Sequence, residues 1–243
     1  MPRSARSQLH HPATRTAAED LLAKKNHTFY STTALVLAIS VFVGFSRTYY
    51  LRTFFGRPQL PSLTQIHGAV FTLWTLFFVF QTLLVRSGRI NVHRRLGLAG
   101  AVFAVGVVSL GGVMTFHSVH AAQASGGRVI GLRLINGVVD LLLFCGFFGF
   151  ALLWRRKREI HKRLMMLAMI SLIIPAFARF PVPSNMTGWV ICAFSLIGVL
   201  HDLVFLRHAY LVSIIGALLI NLASPLRFIL ADAAMVGRDL RNG

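Results

Sequence analysis

Seven apolar segments, separated by short polar or basic stretches, make up most of the 243-residue chain. They cover residues 29–50, 65–85, 96–116, 131–154, 164–180, 187–206 and 209–230. About 20 apolar residues in a helix cross the hydrocarbon core of a bilayer, and each segment has that length or nearly so. The fifth is the shortest because Pro175 and Arg179 stand near its end, so six and eight spans stay open as alternatives. The pattern predicts an all-α integral membrane helical bundle of about seven transmembrane helices.

The composition excludes a soluble globular enzyme. Hydrophobic residues make up 55% of the chain and charged residues 13%, whereas an ordinary soluble protein is about 25% charged. The two cysteines, Cys145 and Cys192, both lie in apolar segments. They are too few for a disulfide scaffold or a cysteine-rich metal motif.

The basic residues predict the orientation of the bundle. The net charge is +18, and the Lys and Arg residues stand mostly between the apolar segments. With a cytoplasmic amino terminus, 16 of the 25 fall on the cytoplasmic side and nine on the outer side, which is the expected bias. We therefore expect a multi-pass protein of the cytoplasmic (inner) membrane that contacts the bilayer and its anionic lipids at the cytoplasmic face. No recognition motif accompanies the basic residues, so we expect no nucleic-acid partner.

Three regions follow from this pattern. Residues 1–28 form a basic cytoplasmic N-terminal segment, which is either a short interfacial helix or a disordered arm. Residues 29–231 form the seven-helix transmembrane domain, and residues 232–243 form a short C-terminal tail.

A polar and aromatic stripe runs along the second apolar segment. His67, Trp74 and Gln81 follow one another at steps of seven residues, which places them on one face of a helix. Such a stripe is expected to face the interior of the bundle. It forms either one wall of a buried ligand site or a surface for packing and interhelical hydrogen bonding.

Asp140 is the one acidic residue well inside an apolar segment. A carboxylate at the centre of a membrane helix costs roughly 2.5–3.5 kcal/mol, so it has to be paired, hydrated or protonated. Asn136 and Arg133 stand one and two turns before it, and Arg179 and Arg227 lie near the outer ends of the fifth and seventh segments. Asp140 is either a proton relay or ligand anchor, or one half of a structural ion pair.

Histidines suggest an alternative function. Axial ligation of a b-type haem requires two histidines at one depth on facing helices, and His67 with His117 or His120 meets the depth condition. Another group, His93, His161, His201 and His208, is expected at the cytoplasmic helix ends. No spacing matches a metal-ligand motif.

Two segments carry a resemblance to a known group of proteins. One runs from His67 through Trp74 and Gln81 to His93-Arg94-Arg95-Leu96-Gly97, and the other is His161-Lys162-Arg163-Leu164-Met165-Met166-Leu167-Ala168. Together they resemble an uncharacterised family of predicted bacterial multi-pass membrane proteins over roughly residues 65–180. The resemblance implies a bacterial cytoplasmic membrane and no particular activity. The chain is more faintly similar to membrane dihaem cytochromes, but it lacks their regular pairs of mid-helix histidines.

The sequence favours a small-ligand or proton-coupled protein of the binding or transport type, with a polar site in the outer half of the bundle. No nucleotide-binding loop, Ser-His-Asp pattern or paired catalytic carboxylates can be assembled, which argues against an enzyme. A haem-binding redox protein and a membrane scaffold or assembly factor without a site are the alternatives. The expected ligand-binding residues are His67, Trp74, Gln81, Arg133, Asn136, Asp140, Arg179 and Arg227.

Overall fold

The computed structural model describes residues 17–122, 127–180, 182–183 and 186–242, and within this part of the chain every regular element is helical. The α-helices are α1 (Ala17–Phe45), α2 (Ser62–Arg86), α3 (Ile90–His120), α4 (Gly127–Leu153), α5 (Arg158–Leu172), α6 (Ile174–Phe177), α7 (Thr187–His201) and α8 (Leu211–Asn242).

Six helical segments of the described chain are long and apolar enough to cross a membrane. They are Lys25–Tyr50, Ser62–Arg86, Ile90–His120, Val129–Leu153, Thr187–Leu206 and Leu211–Ala233. The chain is therefore compatible with a multi-pass membrane protein, as expected from its apolar segments. The fifth expected segment, residues 164–180, is not one of the six. It is divided between α5 and α6, with a break at Ile173, two residues before Pro175. The backbone nitrogen of proline carries no hydrogen, so Pro175 cannot donate the hydrogen bond that would continue α5.

Two of the long spans end in a wider helical turn. A π-helical turn, Ser46–Tyr50, follows α1, and a second one, Asp202–Leu206, follows α7. The second turn ends at Arg207 in the left-handed conformation, with φ of 57°. Wider turns of this kind interrupt regular helices, often at functional positions.

Helices α2, α3, α4 and α5 pack as consecutive antiparallel neighbours. Gly100 of α3 faces the ring of Phe77 in α2, and Gly111 of α3 faces Leu141 in α4. The Nδ1 atom of His161 in α5 lies 2.8 Å from the carbonyl oxygen of Ala151 in α4. These contacts bring together the ends of α2 and α4 and the beginnings of α3 and α5. Asp202, directly after α7, bonds to Arg163 of α5 and Ser213 of α8 and so adds the end of α7 and the beginning of α8. We call this the basic end, after the arginines of its two connecting segments, residues 86–95 and 154–158.

Helix α1 lies against α5, α6 and α7. At the basic end, Phe29 stacks on His201 with ring centroids 3.8 Å apart. Toward the other end of α1, Gly44 contacts the backbone of Ala176 in α6. The Arg179 guanidinium then lies 4.8 Å from the centre of the Phe45 ring. The α5–α6 segment thus runs from the basic end of the bundle to the far end of α1.

Large apolar side chains occur both inside and outside the bundle. Trp74, Phe144 and Phe177 are buried in the core, whereas Leu98, Val102 and Val105 on α3 are exposed. In water, such an extensive exposed apolar surface would drive association. It is the surface that a bilayer would cover.

Helical structure extends into both of the terminal regions that the sequence delimits. Helix α1 begins at Ala17, so residues 17–28 of the expected N-terminal segment continue into the first span. Residues 1–16 lie outside the described residues. Helix α8 extends to Asn242 and therefore includes all but the last residue of the expected tail, 232–243.

Candidate functional site: buried polar groups in the bundle

An ion pair joins α4 to α8 inside the bundle. The Nη2 atom of Arg227 donates to Oδ1 of Asp140 at 2.5 Å, and each residue is only 8% exposed. The Nε atom of Arg227 is also buried and has no hydrogen-bond partner. Of the three arginines considered for Asp140, Arg227 is the one that pairs with it. Because this guanidinium keeps an unused donor, it could accept a second anionic partner.

The other polar residues expected around Asp140 lie elsewhere. Arg133 is exposed and donates to the Ser118 carbonyl at 3.2 Å. Arg179 is exposed and donates to the Pro175 carbonyl at 2.7 Å. Asn136 is exposed. The expected cluster therefore reduces to the Asp140–Arg227 pair.

The stripe on α2 faces the core, as the helical spacing predicts. Trp74 and Gln81 are buried, and His67 is half-buried. Buried polar atoms of all three have no hydrogen-bond partner: His67 Nδ1, Trp74 Nε1, and both Gln81 amide atoms. Each unpaired buried polar atom costs about 1–3 kcal/mol. Buried polar atoms normally have hydrogen-bond partners, so these side chains are candidate hydrogen-bonding groups for a ligand.

Trp74 connects this stripe to the helix that carries Asp140. Its ring meets Phe144 and Phe148 of α4 edge-on, with centroids 5.7 Å apart in each case. Asp140 lies one turn before Phe144, and His67 lies two turns before Trp74. Since α2 and α4 both begin at the end of the bundle opposite the basic end, His67 and Asp140 lie on the same side of this aromatic contact.

A second buried ion pair, which the sequence analysis missed, lies at the basic end. Arg163 of α5 donates from Nη2 to Oδ1 of Asp202 at 2.6 Å and from Nε to Oδ2 at 2.8 Å. Asp202 is fully buried, and Arg163 is 2% exposed. Ser213 of α8 donates to the same carboxylate at 3.1 Å. The pair therefore joins α5, the turn after α7, and α8.

Glu159 and aromatic rings surround this ion pair. The remaining nitrogen of Arg163, Nη1, lies 2.6 Å from Oε2 of Glu159, and its guanidinium stacks 3.6 Å from the Tyr210 ring centre. Each of its three guanidinium nitrogens donates a hydrogen bond within the protein, so this arginine holds helices together.

The three histidines considered for haem have different surroundings. His117 and His120 are exposed at the end of α3, where His120 meets Phe116. His67 turns toward Phe71 on its own helix, with ring centroids 4.3 Å apart. The closest histidine rings described are those of His93 and His161 at the basic end, 6.5 Å apart. Within the described residues there is no group of three or more His, Cys, Asp or Glu side chains that could hold a metal ion.

A groove of about 320 Å³ opens between α7 and α8. Cys192, Asn221 and Pro225 are among the residues that line it, and it contains none of the expected site residues. No family model, curated protein or solved structure matches this chain.

Proposed function

We propose that the chain is a cytoplasmic-membrane protein that binds, and moves together with a proton, a small anionic ligand. Asp140 is the proton-titrating group and Arg227 the ligand anchor. The observation that supports this proposal is their ion pair, which is buried in the bundle and leaves one arginine donor unused.

The charges of this pair suggest how the two events are coupled. An anion that binds Arg227 competes with Asp140 for the same guanidinium. Once displaced, the carboxylate would be an unpaired charge inside the bundle, which is costly, so it takes up a proton. Anion and proton then enter together, and the net charge of the site stays the same. The partnerless atoms of His67 and Trp74 supply hydrogen bonds on the same side of the bundle.

The same proposal includes seven crossings, with the amino terminus in the cytoplasm and the end of α8 outside. Residues 158–177 are divided into helices of 15 and four residues, each shorter than a membrane span, but together they run beside the long helices for most of the bundle's height. Their contacts extend from Ala151 at the basic end to Gly44 at the other. The arginines of the basic end would then face the cytoplasm, in agreement with the charge bias. The resemblance to predicted bacterial membrane proteins favours the same location.

Small anions retained by the detergent-purified full chain provide the first test. Mass spectrometry should detect an anion in the wild type and in Asp140→Asn, and much less of it in Arg227→Gln. Arg133→Gln and Asp232→Asn are matched controls, because they remove an exposed charge from the same two helices. The retained anion is then supplied to proteoliposomes that contain a pH-sensitive dye. Its uptake should acidify the lumen with the wild type but not with Asp140→Asn.

Two results would reject this proposal. One is that Arg227→Gln and Asp140→Asn behave like their matched controls in both assays. The other is that a doubly apolar variant, Asp140→Leu with Arg227→Leu, supports uptake as well as the wild type does. A stable doubly apolar variant together with a wild type that retains no anion would favour the scaffold alternative.

The haem alternative has a separate test. The exposed positions of His117 and His120 are unfavourable for enclosing a macrocycle together with His67. An absorption spectrum of the purified protein with a Soret band that disappears in His67→Ala would favour haem over the anion site.

A further inference from the structure

The α1–α2 segment, residues 46–61, joins the first two candidate spans at the end of the bundle opposite the basic end. The first span ends at Tyr50 and the second begins at Ser62. Residues 51–61 therefore stand at the level where a bilayer that covers these spans meets water. The side chains of the segment determine whether it faces water or lipid headgroups.

Hydrogen bonds fix the shape of this segment. Arg52 donates from Nε to the carbonyl oxygen of Pro58 and from Nη1 to that of Thr48, the latter at 3.0 Å. The hydroxyl group of Tyr49 donates to the carbonyl oxygen of Gln65 in the first turn of α2 at 2.9 Å. These bonds tie the segment to itself and to α2, so it presents a defined set of side chains to its surroundings.

Large apolar side chains project from the segment. Phe54 is 88% exposed, Phe55 is 47% exposed, and Leu51 is exposed as well. This surface continues the outward face of the first span, because the ring of Tyr50 stacks on Phe42 of α1 with centroids 5.1 Å apart, and Phe42 is itself exposed. Adjacent exposed apolar side chains of this size indicate a contact surface. The bilayer that covers the first span is the nearest apolar partner.

The same segment is basic and has no acidic residue near it in the chain. Arg57 is exposed, and the guanidinium of Arg47 lies 5.2 Å from the centre of the Phe55 ring. No Asp or Glu occurs between Asp20 and Asp140, so α2 and α3 offer the segment no counter-charge. Positive charge without a nearby carboxylate attracts an anionic surface.

We propose that the α1–α2 segment is a docking surface for anionic phospholipid. Leu51, Phe54 and Phe55 enter the edge of the hydrocarbon, and Arg47 and Arg57 bind lipid phosphates. Apolar rings beside long basic side chains are suited to this boundary, since the stem of an arginine can lie in the apolar layer while its charged head reaches the phosphates. A guanidinium pairs well with phosphate oxygens because it can donate two parallel hydrogen bonds. This proposal does not depend on the transport function proposed above.

The first experiment measures the depth of position 54 in a bilayer. Phe54→Cys is made in the full chain with both native cysteines, Cys145 and Cys192, replaced by serine. It is labelled with a nitroxide and reconstituted in vesicles of phosphatidylcholine and phosphatidylglycerol. Oxygen, which concentrates in hydrocarbon, should relax this label more than a water-soluble nickel chelate does. Gln59→Cys, at an exposed position of the same segment, is the matched control and should show the opposite preference.

The second experiment measures which lipid is enriched at the segment. A fluorophore on Gln59→Cys, in the same cysteine-free chain, is quenched by phosphatidylglycerol or phosphatidylcholine with a nitroxide near the top of the acyl chain. Phosphatidylglycerol should be enriched by about fivefold per arginine, as expected for a basic residue near an anionic surface. Arg47→Gln with Arg57→Gln should remove most of this enrichment. Arg133→Gln, an exposed arginine at the same end of the bundle, is the control and should retain it.

The outcomes that overturn the proposal are distinct. A label at position 54 that the nickel chelate reaches as easily as one at position 59 would place the segment in water. A label screened from both reagents would mean that another protein surface covers it. Equal quenching by the two lipids, or equal enrichment in the double arginine variant and Arg133→Gln, would show that the arginines do not recognise anionic lipid. If the double variant does not fold, Arg57→Gln alone replaces it, since Arg57 is exposed.

Discussion

Arg163 and Asp202 form a two-point ion pair between residues 39 positions apart in the chain, with nitrogen–oxygen distances of 2.6 and 2.8 Å. The planar fork of an arginine matches the two oxygens of a carboxylate, so both ions are satisfied without water. Because α5, α7 and α8 meet at this pair, it determines how their ends are arranged at the basic end.

Asp202→Asn should destabilise the protein more than any substitution of an exposed acid. The change leaves Arg163 buried without a full counter-charge, which costs about 3–5 kcal/mol for a buried pair. Arg163→Lys should also destabilise it, because a lysine cannot make the two-point contact. The free energy of unfolding in mixed detergent measures both effects. Asp232→Asn serves as the control, and equal stability of the two asparagine variants would contradict the prediction.

Stability below pH 5 should depend on Glu159. Burial raises the pKa of this carboxyl, but the hydrogen bonds from Lys162 and Arg163 outweigh burial and hold the pKa below its usual value. Such a group stabilises the fold above its unfolded pKa, about 4.3, and this contribution disappears as the pH falls through the lower folded pKa. The thermal midpoint of Glu159→Gln should therefore change less between about pH 5 and pH 3 than that of the wild type. Identical pH profiles would show that Glu159 does not contribute.

Gly44→Ala should destabilise the contact between α1 and α6. A Cβ atom at this position would lie 2.3 Å from the carbonyl oxygen of Ala176, so one backbone would have to move. Overpacking of this kind costs about 1–3 kcal/mol. Gly106→Ala in α3 is the control, because a Cβ atom there would meet nothing within 4 Å. It should stabilise the protein slightly, since alanine is more favourable than glycine inside a helix by about 1 kcal/mol. If Gly44→Ala and Gly106→Ala change the thermal midpoint by the same amount, the close contact between Gly44 and Ala176 is contradicted.

A reporter fused after Ala233 should distinguish seven crossings from six. With a cytoplasmic amino terminus and a crossing α5–α6 segment, the end of α8 is outside. Alkaline phosphatase fused there should then be active, and a green fluorescent protein should be dark. Fusions after Trp154, in the connection before α5, should give the reverse pattern. Fluorescence at both positions would mean that residues 158–177 do not cross.

Helical periodicity explains what could be predicted about the site. The seven-residue spacing of His67, Trp74 and Gln81 was enough to assign them to one inward face. The isolated acid Asp140 was enough to predict a buried ion pair or titrating group. The choice of Arg227 over Arg133 and Arg179 could not be predicted, because it depends on how α4 and α8 rotate about their axes when they pack.

The Arg163–Asp202 pair was missed for a related reason. Arg163 belongs to a run of basic residues, where the positive-inside rule already accounts for it. Asp202 stands at the end of an apolar segment beside His201, where an exposed acid is also expected. Only the tertiary contact between α5 and the turn after α7 distinguishes these two residues from surface charges. The break at Ile173, by contrast, was indicated by Pro175, although the sequence analysis still counted 164–180 as one segment.

The 87 positions between Asp140 and Arg227 also affect how this protein is made. Ribosomes add about 5–20 residues per second, so Asp140 is added to the chain roughly 4–17 seconds before its arginine partner. During that interval the acid must be carried in neutral form or stay close to the insertion machinery. Release of the nascent chain into lipid is therefore favoured only after α8 has emerged, which makes the last helix a checkpoint for biogenesis of the whole bundle.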